Sequence, residues 1–157
     1  MKNSVSKLLG NLDSLLSCVA LVIVILSVSY GVLMRYIFGN PPVWTNELAA
    51  IAFTWLVFLG ASVAFKKKMH IGIDLMVKQL SRRVQWMVGL IAHFMLLVFF
   101  GYMVIYGVIF SVESFAQPTS IMRLPNSCFY SAVPVSFALM LLFQVTQIRN
   151  HFQNRIG

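Results

Sequence analysis

Acidic residues are scarce in this chain: four Asp and Glu stand against twelve Lys and Arg, and only 10% of residues are charged. A proton-coupled carrier or a membrane enzyme works through ionisable groups held at depth, where they are costly unless used. Here Asp13, Glu47, Asp74 and Glu113 all fall at or near the ends of apolar runs. The central carboxylate of a small proton-driven exchanger is therefore lacking. Histidine is as sparse: of His70, His93 and His151, only His93 lies inside an apolar run. No facing pair is left to ligate a haem across helices. Cys18 and Cys128 form no Cys-x-x-Cys pair, which argues against a thiol oxidoreductase. Internal repeats and low-complexity tracts are missing too.

Apolar residues, by contrast, are abundant: 59% of the 157 residues are hydrophobic and the mean hydropathy is +0.84. A soluble domain of this length could not hide so much apolar surface, and bilayer hydrocarbon is the natural solvent for it. Four apolar runs cover about residues 15–34, 48–65, 86–112 and 129–145. At 1.5 Å per residue the first is about 30 Å long, the thickness of a bilayer core. It is too long for a signal-peptide core, and no small-x-small cleavage site follows before Arg35, so it is expected to be retained. Within lipid the backbone must satisfy itself, and the period-two alternation of a barrel is absent. The expectation is an all-α integral membrane protein with four transmembrane helices in one domain spanning residues 1–157. Pro134, near the start of the fourth run, is expected to bend it.

Orientation follows from the basic residues. Lys2, Lys7, the middle-loop cations, Arg149 and Arg155 make ten on one side, against Arg35 and Arg123 on the other. The positive-inside rule places both termini and the middle loop in the cytoplasm. Trp44 and Trp86 then lie at opposite interfaces, and the two cysteines are too far apart for a disulfide. The net charge of +8 is thus directed at lipid headgroups rather than nucleic acid.

The middle loop turns from a charge run to an amphipathic pattern. Residues 71–85 are read as a short helix at the inner surface, capped by Asp74, or else as the beginning of the third span. Lys66, Lys67, Lys68, Lys78, Arg82, Arg83 and Trp86 are its lipid-interface candidates.

Small residues mark packing faces. Ser17, Ala20, Val24, Ser27, Gly31 and Arg35 follow helical spacing down the first span, and Glu47, Ile51, Trp55, Phe58 and Ser62 share a face of the second. Trp55 is either lipid-facing bulk or an anchor against a partner helix. His93, in line with Gly89, Leu97 and Gly101, is read as an interhelical hydrogen bonder. Between the first two spans, Asn40 is expected to cap the second helix, with Pro41 and Pro42 in its first turn. Arg35 and Glu47 flank this turn, either pairing locally or reaching towards another subunit.

Arg35-Tyr36, Phe38, Pro41 or Pro42, Trp44, Glu47-Leu48, Phe53, Trp55-Leu56, Phe58-Leu59-Gly60-Ala61, a basic cluster, His70-Ile71 and Asp74 together resemble the small membrane subunit of tripartite ATP-independent periplasmic (TRAP) transporters. Asn46, Lys66 and Ile73 depart from that pattern, which more often has an acid, Arg and Val. The resemblance implies a bacterial or archaeal inner-membrane uptake system with three parts. A periplasmic binding protein captures a carboxylate such as sialic acid or a C4-dicarboxylate, and a large multi-span subunit carries it inward with sodium. The small subunit anchors that carrier. No cofactor is expected here, and sodium is expected to bind the large subunit, a separate polypeptide. Partner-interface candidates are Arg35, Trp44, Glu47, Trp55, His70 and Asp74. The competing reading is a self-sufficient transporter built from copies of this chain.

Overall fold

The computed structural model describes residues 2–67 and 82–153. Five α-helices are seen there: α1 (Lys2–Tyr36), α2 (Trp44–Lys66), α3 (Arg82–Glu113), α4 (Ser127–Tyr130) and α5 (Ala132–Gln153), with a 3₁₀ turn at Ser114–Ala116. Four stretches are long and apolar enough to cross a bilayer: Leu12–Tyr36, Trp44–Lys66, Met87–Ala116 and Ser127–Ile148. All expected spans are present, each end within four residues of its expected place. His70, Asp74, Lys68, Lys78 and nearly all of the expected 71–85 surface helix lie outside the described residues. Residues 82–85 are continuous with α3. Arg82, Arg83 and Trp86 fall in its first turns, their side chains outside the described set.

The helices form a row. α1 packs on α2, α2 packs on α5 as well, and α5 packs on α3. The α1–α2 seam is built from residues seven apart on both sides: Asp13, Ala20 and Ser27 are buried on α1, and Thr45, Ala52 and Leu59 on α2. A seven-residue repeat is the spacing of left-handed helix pairing, and small side chains let the backbones approach. Gly31 shows how close they come, since a Cβ there would lie 3.0 Å from the Thr45 Oγ1. The expected small-residue stripe on the first span is thus the seam, with Arg35 exposed just beyond it.

The other face of α2 meets α5 and the loop before it, and it is the face expected from Glu47, Ile51, Trp55, Phe58 and Ser62. The Phe58 and Phe137 rings pack tilted, their centres 6.3 Å apart, and the Trp55 indole N–H donates to the Cys128 carbonyl at 2.9 Å. Towards the chain-terminal end, Phe65, Phe100 and Met140 bring α2, α3 and α5 into one cluster, with Phe65 and Phe100 edge to face at 5.1 Å. Such a ring pair adds about 1 kcal/mol beyond its buried area. The Lys66 ammonium lies 5.1 Å from the Phe143 ring centre and acts electrostatically on Asp13, so this cation is shared with the chain's own helices. Lys67 ends α2 and is exposed.

Between α3 and α5 the tight point is Gly107, where a Cβ would meet Pro134 at 3.0 Å. Gly101 has open space instead. The face expected through Gly101 is therefore not where the helices touch most closely. His93 contributes its carbonyl, which accepts a hydrogen bond from the buried Gln144 amide at 3.0 Å. Pro134, expected to bend the fourth span, stands just after a break in it. Without an N–H it cannot bond the Tyr130 carbonyl four residues back, and the helix is interrupted at Ser131 between α4 and α5.

The start of α2 differs from expectation. Its N-cap position is Val43, with no side-chain cap, and Asn40 instead turns its N–H back to the Met34 carbonyl at 3.2 Å. Gly39, at φ 65°, supplies the left-handed residue that ends α1. The reason is the proline pair: a residue before proline is pushed out of the helical region, and Asn40 and Pro41 both precede a proline and are not helical. The helix starts only after Pro42, whose carbonyl accepts from the Thr45 hydroxyl at 2.7 Å.

Candidate functional site

Residues 37–43 join α1 to α2, and residues 117–126, between the 3₁₀ turn and α4, are held to the first turn of α2. The second loop is a small hairpin. Pro118 and Pro125 pair as an isolated antiparallel bridge, the Thr119 N–H donates to the Leu124 carbonyl at 2.7 Å, and the Asn126 N–H donates to the Gln117 carbonyl at 3.0 Å. At its tip Arg123 adopts a left-handed conformation, φ 52°, uncommon for a residue with a side chain. Ile121, Met122 and Arg123 are exposed there.

Glu47 holds this tip. Its Oε2 accepts from the backbone N–H of Ile121 at 3.1 Å and of Met122 at 3.2 Å. The Thr119 hydroxyl lies beside the same carboxylate, and that hydroxyl also accepts from the Leu124 N–H. Oε1 is left without a hydrogen-bond partner among the described residues. An acid in the first turn of a helix also suits the positive end of the helix dipole. One carboxylate thus fastens the third connection to the start of α2. Behind it, Trp55 ties α2 to α4, and the Ser127 hydroxyl donates to the Ser111 carbonyl, tying α4 to α3. Nothing in the sequence pattern announces the Glu47 contact, because its donors are main-chain groups in a loop without periodicity.

Arg35 takes no part in this clasp. Among the described residues no carboxylate pairs with it, so the local Arg35–Glu47 pair weighed from the sequence is not formed. Instead Arg35 lines a cleft of about 340 Å³ at the α1–α2 turn, together with Val28, Val32, Tyr36, Pro42 and Asn46. Trp44 stacks on Tyr30 of α1 at 5.8 Å and remains partly exposed. The structure thus brings Glu47 and Trp55 into intrachain contacts and leaves Arg35 without a carboxylate partner among the described residues. Among the described residues no cluster of three His, Cys, Asp or Glu side chains is placed to hold a metal ion.

A family model described as tripartite ATP-independent periplasmic transporters, DctQ component, matches residues 24–154. The chain belongs to this family. It is thereby a multi-pass protein of the bacterial inner membrane, and its relatives are transporter subunits rather than enzymes. It is 34% identical over 62 residues to the C4-dicarboxylate TRAP transporter small permease protein DctQ of Vibrio cholerae, covering 40% of this chain and 27% of that protein. Against the sialic acid TRAP transporter small permease protein SiaQ of the same organism, identity is 18% over 151 residues, covering 96% of this chain and 87% of that one. The sialic acid TRAP transporter permease protein SiaT of Haemophilus influenzae aligns at 22% over 116 residues, 74% of this chain but 19% of SiaT. The chain matches about a quarter of the length of the DctQ proteins from Vibrio cholerae and Pseudomonas aeruginosa.

Proposed function

We propose that this protein is the small, non-catalytic membrane subunit of a sodium-driven, binding-protein-dependent uptake system for a carboxylate solute. Its task is to anchor a large multi-span transport subunit. The family match over residues 24–154 carries the reading. The SiaT alignment supports the partnership: a segment like this chain occupies a minor part of a much longer permease, which is what covalent union of the two subunits would give. Relatives named for C4-dicarboxylates and for sialic acid support a carboxylate as cargo. Sodium belongs to the large subunit, since the described part of this chain has no acid at mid-span.

The fold suits a frame. Interhelical contacts rest on small-residue seams and a few hydrogen bonds from buried or half-buried polar groups, which fix helix positions rather than create a pathway. Both termini are assigned to the cytoplasm by the distribution of Lys and Arg. The end carrying residues 37–43 and 117–126 then faces the periplasm, where a loaded binding protein would dock. Co-expression with a large permease subunit from the same cell tests the whole reading. The two should co-purify in a defined ratio, and uptake should need both together with the binding protein. Vesicles containing only this chain that accumulate solute would instead establish the self-sufficient transporter. Charge reversal at Arg35 or Glu47 should weaken binding-protein-dependent uptake while the membrane complex still assembles.

A further inference from the structure

The cleft at the α1–α2 turn lies beside the Gly31–Thr45 contact of the seam and has a two-part chemistry that the loop clasp does not use. Arg35 stands at its rim, exposed and with no carboxylate partner among the described residues. Val28 and Val32 lie seven and three positions earlier on α1, on the same helical face. At 1.5 Å per residue, Val28 lies about 10 Å along the helix from Arg35, so the apolar wall runs from the arginine towards the middle of the span. Tyr36 lines the rim, an aromatic of the kind enriched at membrane interfaces. Glu47, the nearby acid able to neutralise Arg35, is turned to the other face of α2 and held by the amides of Ile121 and Met122. The arginine is thus kept available by the same clasp that fixes the hairpin.

We propose that this cleft binds a membrane phospholipid, with the headgroup phosphate on Arg35 and the upper part of an acyl chain along Val28 and Val32. A guanidinium offers phosphate two parallel hydrogen bonds, stronger than those of an uncharged donor. A bare inorganic anion would engage the cation and leave the apolar wall unused, whereas a neutral lipid would do the reverse. A phospholipid uses both. The inference concerns this chain alone and stands whether or not the same end docks a binding protein.

The test uses the full chain, stripped of lipid in detergent and titrated with phosphatidylglycerol, with bound lipid counted by native mass spectrometry. One lipid should bind preferentially, and Arg35→Gln should weaken that binding about tenfold, the scale of one charged hydrogen bond. Val32→Trp, which fills the wall and leaves the charge, should weaken it similarly. Arg123→Gln, a cation at the same end outside the cleft, should leave it unchanged. Diacylglycerol should bind more weakly than phosphatidylglycerol, and inorganic phosphate at equal concentration should not compete. Equal binding by Arg35→Gln and the unaltered chain overturns the proposal. So does competition by inorganic phosphate, which would make the cleft an anion site. Loss of the large subunit without loss of lipid, in the co-purified complex carrying Arg35→Gln, assigns the cleft to a protein carboxylate and also overturns it.

Discussion

At Glu47 a single carboxylate oxygen receives two successive backbone amides from a loop 74 and 75 positions away. A glutamine there keeps an acceptor of the same size and loses the charge that makes such bonds strong. With Glu47→Gln, hydrogen exchange at the amides of Ile121 and Met122 is expected to quicken severalfold, with Glu47→Ala faster still. Arg35→Gln should leave both amides as they were, since Arg35 takes no part in the clasp. If exchange is unchanged in Glu47→Gln, the charge is not what holds the tip. Trp55 invites a parallel test. Trp55→Phe keeps an aromatic ring but removes the N–H donated to the Cys128 carbonyl. That change should cost about 1 kcal/mol, the net worth of an ordinary buried hydrogen bond, and lower the melting temperature by a few degrees.

Two pairs of glycines separate close helix contact from open space. A side chain at Gly31 would run into Thr45, and one at Gly107 into Pro134, whereas Gly60 and Gly101 have nothing within 4 Å of a new Cβ. Gly107→Leu forces the α3 and α5 backbones apart and should cost about 1–3 kcal/mol. Gly101→Leu should be tolerated within experimental error, as read by thermal unfolding in the same detergent. The contrast bears on what the sequence could reveal. Spans were legible from apolar length, and the α1 seam from small residues at helical spacing. The α2 face through Glu47, Trp55 and Ser62 was legible for the same reason, since side chains at that spacing must share a side. Gly101 misled because a small residue permits close approach without requiring it. Asn40 misled because a favourable cap residue was outweighed by two prolines, which delay the helix past Val43. Glu47 stands out in the sequence because it and Arg35 flank the same turn. Its true partners were hidden, because main-chain donors leave no mark in residue type.

The molecule as a whole is a row in which α2 and α5 have helical neighbours on two sides, while α1 is carried chiefly by α2. Burial follows that order, being lower in the outer members α1 and α3 than in the inner two. Large apolar side chains such as Leu26, Ile91, Phe94 and Ile105 are exposed along those outer helices. In lipid such surface costs nothing, so the row can stand as an extended frame with both broad faces open to hydrocarbon or to another membrane protein. A frame is useful only if its loops lie on the correct sides, and the side is fixed by charge. In the sequence, ten Lys and Arg flank the termini and the connection between the second and third spans, against two beside the other connections, which gives a strong bias. In a background with Cys18 and Cys128 replaced by Ala, a Ser120→Cys variant should react with a membrane-impermeant maleimide in intact spheroplasts. Lys67→Cys should react only after the membrane is opened. The opposite labelling would put the hairpin tip and the Arg35 cleft in the cytoplasm, out of reach of any binding protein, and would leave ten cations facing the wrong way.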